Sequence, residues 1–269
     1  MYLDFYGLGE PPFNITPDPR YLYFSHGHRE AFEHVLFGIT QRKGFIQLTG
    51  EVGAGKSTLC RKVLEELGDG FHTALVLNPV MTGIQLLRTI LTELGVDARG
   101  NDRVRLNERL NTFLLDRLRA GEDVVLFIDE AQDMDAELLE QVRLLSNLET
   151  DDRKLLQIVL VGQPELVEKL GSRSLRQLAQ RITVRTHLGR LNRRETEAYI
   201  RHRLEVAGST GRPEFTPRAF GAIHRWSRGI PRLINAVCDM TLLAGFADGE
   251  DRLRWRHVRR AIRELGGRR

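Results

Sequence analysis

Two short runs constrain this chain most: "EDVVLFIDE" and "LLQIVLVGQPE" are apolar without alternation. A strand with one wet face alternates polar and apolar side chains, so a short unbroken apolar run marks a strand covered on both faces. "GFIQLTG", "FHTALVLNP" and "RITVRTHL" read as three further strands. The stretches between them have helical periodicity: "DAELLEQVRLLSNLET" places Leu138, Val142, Leu145 and Leu148 on one stripe. "HGHREAFEHVLFGITQRKG", "MTGIQLLRTILTELG" and "NDRVRLNERLNTFLLDRLRAG" are helical as well. Strand and helix in alternation predict βαβ units with right-handed crossovers, hence an α/β body with a five-stranded parallel sheet flanked by helices.

After Leu191 the strand pattern stops. Four helical segments follow, several opened by Asn, Thr or Pro and closed by Gly. This predicts two domains, an α/β body over residues 1–190 and a small all-helical lid over 191–269. The first 25 residues, rich in proline and aromatics, read as extended, turn-rich chain.

The net charge of +4 and pI near 9.3 permit an acidic partner without demanding one. Cys60 and Cys238 are too few for a disulfide framework or a zinc site, which points to a reducing compartment. No run approaches the roughly 20 apolar residues of a membrane span, and "MYLDFYGLGEPPF" lacks the form of a secretory signal. The expected location is the cytoplasm, with peripheral contact to the inner membrane only through a partner.

The glycine loop "LTGEVGAGKSTLC" places Gly50, Gly55, Lys56 and Ser57 in the pattern G-x-x-x-x-G-K-[ST], between a strand and a helix. Glycines let backbone N–H groups approach phosphate oxygens, and the helix start at about Lys56 turns its positive end toward the same anion. The loop residues Gly50, Glu51, Val52, Gly53, Ala54, Gly55, Lys56, Ser57 and Thr58 are therefore the expected ATP-binding set. Lys56 is expected on the β- and γ-phosphates and the Ser57 hydroxyl on Mg²⁺.

"VVLFIDEAQ" ends an apolar strand in Asp129 and Glu130, and strand C-termini face the ligand crevice of a parallel sheet. Asp129 is placed to hold Mg²⁺ through water, and Glu130 to polarise an attacking water. Gln163, at the end of "VLVGQP", sits at the same level and suits a water-holding or phosphate-sensing role. "RSLRQLAQRITVR" supplies Arg173, Arg176, Arg181 and Arg185. One of these could reach a neighbouring subunit's nucleotide as a finger, and Arg181, closing a helix before the fifth strand, is preferred to Arg176. In "GIPRLIN", Arg232 stands at a helix start, unfavourable there unless an anion compensates it.

With these residues in place the chain resembles the AAA+ ATPases, and specifically the general secretion pathway protein A (ExeA-like) group with its MSHA-type pilus-biogenesis relatives. The resemblance rests on the opening "MYLDFYGLGEPPFNITPDPRYLYFSHGHREA", on "LTGEVGAGKSTLC", "DEAQ", "VRLLSNLET", "IVLVGQPEL", "LRQLAQRI" and "GIPRLIN". It implies Gln163 at sensor 1, where asparagine is commoner, Arg232 at sensor 2 and a finger near Arg181. It also implies that the opening segment, with His28 and Arg29, lies close to adenine. Longer members of the group continue into a transmembrane helix and a peptidoglycan-binding domain.

The resemblance implies a mechanochemical ATPase that forms an ATP-dependent, ring-like homo-oligomer and assembles or positions an envelope secretion or pilus component. The alternative is a DNA-linked AAA+ ATPase similar to transposition regulators. The basic excess suits that reading, but the last four helices contain no clear helix-turn-helix reader. A scaffold that binds ATP without turning it over is a third class, against which an intact Glu130 argues.

Overall fold

The computed structural model describes residues 2–150 and 153–266, so the extreme ends of the two expected domains lie outside the described residues. In chain order the elements are α1 (Tyr2–Tyr6), α2 (His26–Thr40), β1 (Phe45–Gly50), α3 (Lys56–Leu67), β2 (Phe71–Val76), α4 (Gly83–Glu93) and α5 (Arg103–Arg119). They continue with β3 (Asp123–Ile128), α6 (Ala136–Leu145), β4 (Gln157–Gly162), α7 (Pro164–Leu170), α8 (Arg176–Arg181) and β5 (Ile182–Leu188). The last are α9 (Arg193–Val206), β6 (Glu214–Phe215), α10 (Pro217–Ser227), α11 (Pro231–Ala247), β7 (Arg252–Leu253) and α12 (Trp255–Glu264).

The five expected strands form one sheet in the order β2-β3-β4-β1-β5, every neighbouring pair parallel. The strand that opens the glycine loop, β1, and the strand that ends in Asp129, β3, are thus separated by β4. All six residues of β4 are buried, as a largely apolar run predicts, and so are all six of β1, including the polar Gln47 and Thr49. One face carries Phe45, Leu126, Ile128, Ile158 and Leu160, packed with Ile90, Leu110, Leu139 and Val142 from α4, α5 and α6. Local chemistry sets the helix starts. Thr82 and Gln85 form a capping box on α4, and Asp102 and Asp135 cap α5 and α6.

The chain divides by packing into two units, one of residues 29–50 and 60–188, the other of residues 1–28, 51–59 and 189–269. One join between the units falls near residue 189. The membership of the opening segment and the glycine loop differs from the 1–190 and 191–269 division, and the second unit's own contacts give the reason. Buried Arg203 on α9 donates to the carbonyls of Pro12 (2.5 Å) and Asn14 (3.1 Å), and its guanidinium lies 4.5 Å from the Tyr21 ring centroid. Tyr2 donates to Asp239 (2.8 Å), and Tyr6 to the Leu242 carbonyl (3.1 Å). Burial pushes the Tyr6 phenol up to about 12, so it remains a donor. A charge buried among neutral acceptors is stable only while it is fully hydrogen-bonded, so Arg203 ties the opening segment firmly to α9.

Two further differences are local. The opening segment contains a helical turn, α1, and a 3₁₀ turn over Pro19–Tyr21 capped by Asp18. The lid is not entirely helical, because β6 and β7 pair in parallel through Glu214–Arg252 and Phe215–Leu253. Two residues on each side were too few to leave a pattern of period two in the sequence.

Candidate functional site

The glycine loop leaves β1 at Gly50 and closes into α3 at Lys56. Gly53 and Gly55 have φ of +77° and +104°, backbone conformations that L side chains rarely adopt. Space forbids a side chain as well: a Cβ on Gly53 would lie 2.3 Å from the Arg232 Cβ. Within the loop the Lys56 ammonium donates to the Glu51 carbonyl (3.2 Å), and Ala54 N–H to the same carbonyl (3.1 Å). The α3 helix that follows is twelve residues long. Its first turn has N–H groups without intrahelical partners, the usual seat of an anion. A triphosphate fits this cradle.

Three contacts lock the loop from outside, all through its unit's own residues. Arg232 N–H donates to the Gly53 carbonyl (3.1 Å), so the start of α11 rests on the loop. The Arg190 guanidinium pairs with the Glu51 carboxylate (2.7 Å). Buried His28 places Nε2 3.2 Å from the Ala54 carbonyl and Nδ1 2.7 Å from the Ser25 hydroxyl. A carbonyl only accepts, so Nε2 carries the proton and Nδ1 accepts from Ser25. Burial holds His28 below the ordinary histidine range, in keeping with a neutral ring. Beyond the histidine itself nothing in the sequence signals the Ser25–His28–Ala54 chain, since its partner is a main-chain carbonyl.

In the other unit, Gly50, Asp129 and Gln163 close or follow the three central strands at the carboxyl end of the sheet. Asp129 is buried, its N–H bonded to the Val76 carbonyl (2.8 Å) and its carboxylate accepting from Glu130 N–H (2.9 Å). Glu130 adopts φ +51° and ψ +37°, left-handed backbone that costs a non-glycine residue about 1–2 kcal/mol. Its Oε2 accepts from Gln132 Nε2 (2.8 Å) and Gln163 Nε2 (3.2 Å). Gln132 also accepts the Gln163 N–H (3.0 Å), and Lys169 binds the carbonyls of Gln132 and Met134. Gln132 is therefore a site residue that sequence reasoning missed, although it is the last letter of "DEAQ".

Arg181 directs its guanidinium at the Ser146 hydroxyl (2.7 Å), Asn147 Oδ1 (2.6 Å) and the Arg143 carbonyl (3.5 Å), closing the C-terminal end of α6. Arg185 donates to the Ala179 carbonyl (2.6 Å), while Arg173 and Arg176 are exposed. Within unit and sheet end, the structure thus brings Asp129, Glu130 and Gln163 together, and likewise the loop, Lys56, His28 and the backbone of Arg232. It gives Arg181 internal partners in its own unit.

Residues 39–170 match the AAA domain family. This chain carries an AAA domain. Over 268 residues, 99% of its length, it is 46% identical to general secretion pathway protein A of Aeromonas hydrophila, and it spans 49% of that protein. The expected resemblance to the general secretion pathway protein A group is borne out. The AAA fold is seen again in the Aeropyrum pernix ORC2 protein with ADPNP and ADP, at TM-score 0.73 and 20% identity, over 95% of this chain and 72% of that one. Cdc6p of Pyrobaculum aerophilum gives TM-score 0.72 and 16% identity over 96% and 72% of the two chains. A RuvB mutant of Thermotoga maritima gives 0.59 and 19% over 89% and 70%. These structures share the AAA architecture, and at such identities the fold alone. Among the described residues no helix is long and apolar enough to cross a membrane.

Proposed function

We propose that this AAA protein binds and hydrolyses ATP to drive assembly or positioning of a bacterial envelope secretion or pilus system, working as an ATP-dependent oligomer on the cytoplasmic side of the inner membrane. The observation that carries the reading is the Glu130 carboxylate, aimed by two glutamine amides beside buried Asp129. An energetically costly backbone conformation with two side-chain donors on one oxygen suits a group that must present its acceptor to water.

In this reading the loop residues Gly50 to Thr58 bind the phosphates, Lys56 neutralises them, and Ser57 and Asp129 hold Mg²⁺. The ion would supply charge neutralisation on the phosphate oxygens. Glu130 takes a proton from water, and Gln163 holds that water or senses the phosphate. Arg232 contributes charge from the start of α11, and a neighbour's Arg181 acts as the finger. That last role requires Arg181 to leave Ser146 and Asn147, which makes exposed Arg176 the competing finger. ATP would favour the assembled state only by the contacts it adds between subunits. The relative's name is the support for an envelope-secretion partner.

The test is ATP turnover per subunit measured against protein concentration, for the wild type, Arg181→Ala and Arg176→Ala. A rate that climbs with concentration, and a loss of roughly 10³-fold in one arginine variant with ATP binding retained, supports a site completed by a neighbour. A flat rate in the wild type rejects it.

A further inference from the structure

The lid carries a charge asymmetry that the ATPase reading does not use. Residues 189–269 contain 18 arginines, no lysine and nine carboxylates, whereas the first 188 residues hold 22 basic and 27 acidic side chains. Much of the lid's arginine is paired locally, as in Arg201–Glu197, Arg212–Asp251 and Arg260–Glu264. Arg193, Arg218, Arg225 and Arg228 are different. All four are exposed, all line one groove of about 1000 Å³, and among the described residues none of them has an ion-pair partner. Among the described residues no carboxylate lines that groove.

Its construction is regular. Arg218, Gly221, Ala222 and Arg225 follow one another along a single face of α10, so small residues form the floor between two cations. A Cβ on Gly221 would lie 3.5 Å from the Arg193 guanidinium, which reaches across that floor from the start of α9. Arg228 closes α10 at φ +52°, a position where glycine is the relaxed choice. Keeping an arginine there costs of order 1 kcal/mol and sets a third cation at the end of the row. Half-exposed Trp255 completes the lining at the start of α12. At 1.5 Å per residue, Arg218 to Arg228 spans about 15 Å, the length of four or five extended residues.

We propose that this groove binds a short acidic peptide segment of a partner protein. Planar guanidinium groups take carboxylates in bidentate fashion, and a row of three with a fourth reaching across it, none ion-paired among the described residues, matches a run of acidic side chains. A strand of nucleic acid would extend past a 15 Å row, and the other 188 residues carry net negative charge, which does not favour it. A flat lipid surface does not enter a groove. The site also touches the nucleotide machinery, because Arg190 belongs to its lining and holds Glu51 of the glycine loop. An acidic occupant competes with Glu51 for that guanidinium and so reports its presence to the loop. The binding itself does not depend on ATP turnover, so it can be tested apart from the ATPase reading.

The experiment is fluorescence anisotropy of a fluorescein-labelled octaglutamate peptide against the full chain at low salt. It compares wild type, Arg218→Glu/Arg225→Glu, and Arg252→Glu/Arg263→Glu, which changes net charge equally outside the groove. The proposal expects saturable binding, weakened at least about tenfold by the groove pair and less than about twofold by the control pair, with unchanged thermal melts. Absence of binding by the wild type overturns it, as does equal weakening by both pairs. Tighter binding of a labelled oligothymidylate with the same charge would make the groove a nucleic-acid site instead. Loss of self-association in the groove variant, with octaglutamate binding intact, would assign it to a second copy of the chain.

Discussion

The glycine loop and the Glu130 end of the sheet are held in place by opposite means. The loop is locked through its carbonyls: Glu51 accepts from Lys56, Gly53 from Arg232 and Ala54 from His28. Among its amides, the Ala54 N–H is also held, by the Glu51 carbonyl. The Glu130 carboxylate is locked by donors from Gln132 and Gln163, which leaves its second oxygen as the acceptor on offer. The loop thus ties up three carbonyls, which a phosphate cannot use, and the Glu130 carboxylate ties up one of its two oxygens. That division suits a phosphate on one side and a water proton on the other.

The sharpest way to break the comparison is Lys56→Ala. It removes the loop's buried cation together with the bond to Glu51, so ATP affinity should fall by roughly 100-fold or more, about 2.7 kcal/mol, in equilibrium titration. A variant that binds as before would mean that the backbone alone carries the anion. Next come Gln132→Ala and Gln163→Ala. Each deletes one donor to a carboxylate and should lower kcat roughly tenfold, with little change in ATP affinity. Weakened ATP binding in either variant would show that the clamp serves the fold or the nucleotide and does not aim Glu130.

The smallest effect concerns the lock on Ala54. His28→Ala leaves a buried carbonyl without its donor and should cost about 1–3 kcal/mol in denaturant melts, which His28→Gln should partly restore. The pH dependence has a definite sign. Burial lowers the His28 pKa in the folded chain, so the unfolded chain binds the proton more readily. The stability this ring contributes is full above the ordinary histidine value near 6.5 and is lost as pH falls through the lowered one. His202 and His257 are lowered too, mainly by burial, and act in the same direction. Melts of wild type and His28→Gln between pH 7.5 and 5 should therefore converge as acid is added. Parallel curves would assign the acid sensitivity to the other two rings.

What the sequence showed and what it hid divide along the range of the contacts. Gly50, Gly55, Lys56 and Ser57 are covalently spaced to form a cradle, so their spacing is their geometry. Asp129 and Glu130 were legible because an unbroken apolar strand delivers its last residue to the carboxyl end of a parallel sheet. Five strands were countable for the same reason, but their order was not, since nothing in "LLQIVLVG" says that it lies between β1 and β3. The Gln132–Glu130–Gln163 clamp joins β3's turn to the end of β4, 31 to 33 residues apart. Arg203 meets Pro12 across 191 residues, and no periodicity reports such a contact. That contact is one of those that tie residues 1–28 into the same unit as the lid.

The most direct measurement of the central claim pairs ATP turnover with ATP binding in wild type and Glu130→Gln. The substitution keeps the shape of the side chain and removes the base, while its amide oxygen can still accept from the Nε2 groups of Gln132 and Gln163. With Glu130 as the base, kcat should fall by roughly 10²–10⁴-fold, ATP should bind as tightly as before, and an ATP-loaded assembly should accumulate. Turnover within a few-fold of wild type would contradict it, and would place the hydrolytic base somewhere other than the end of β3.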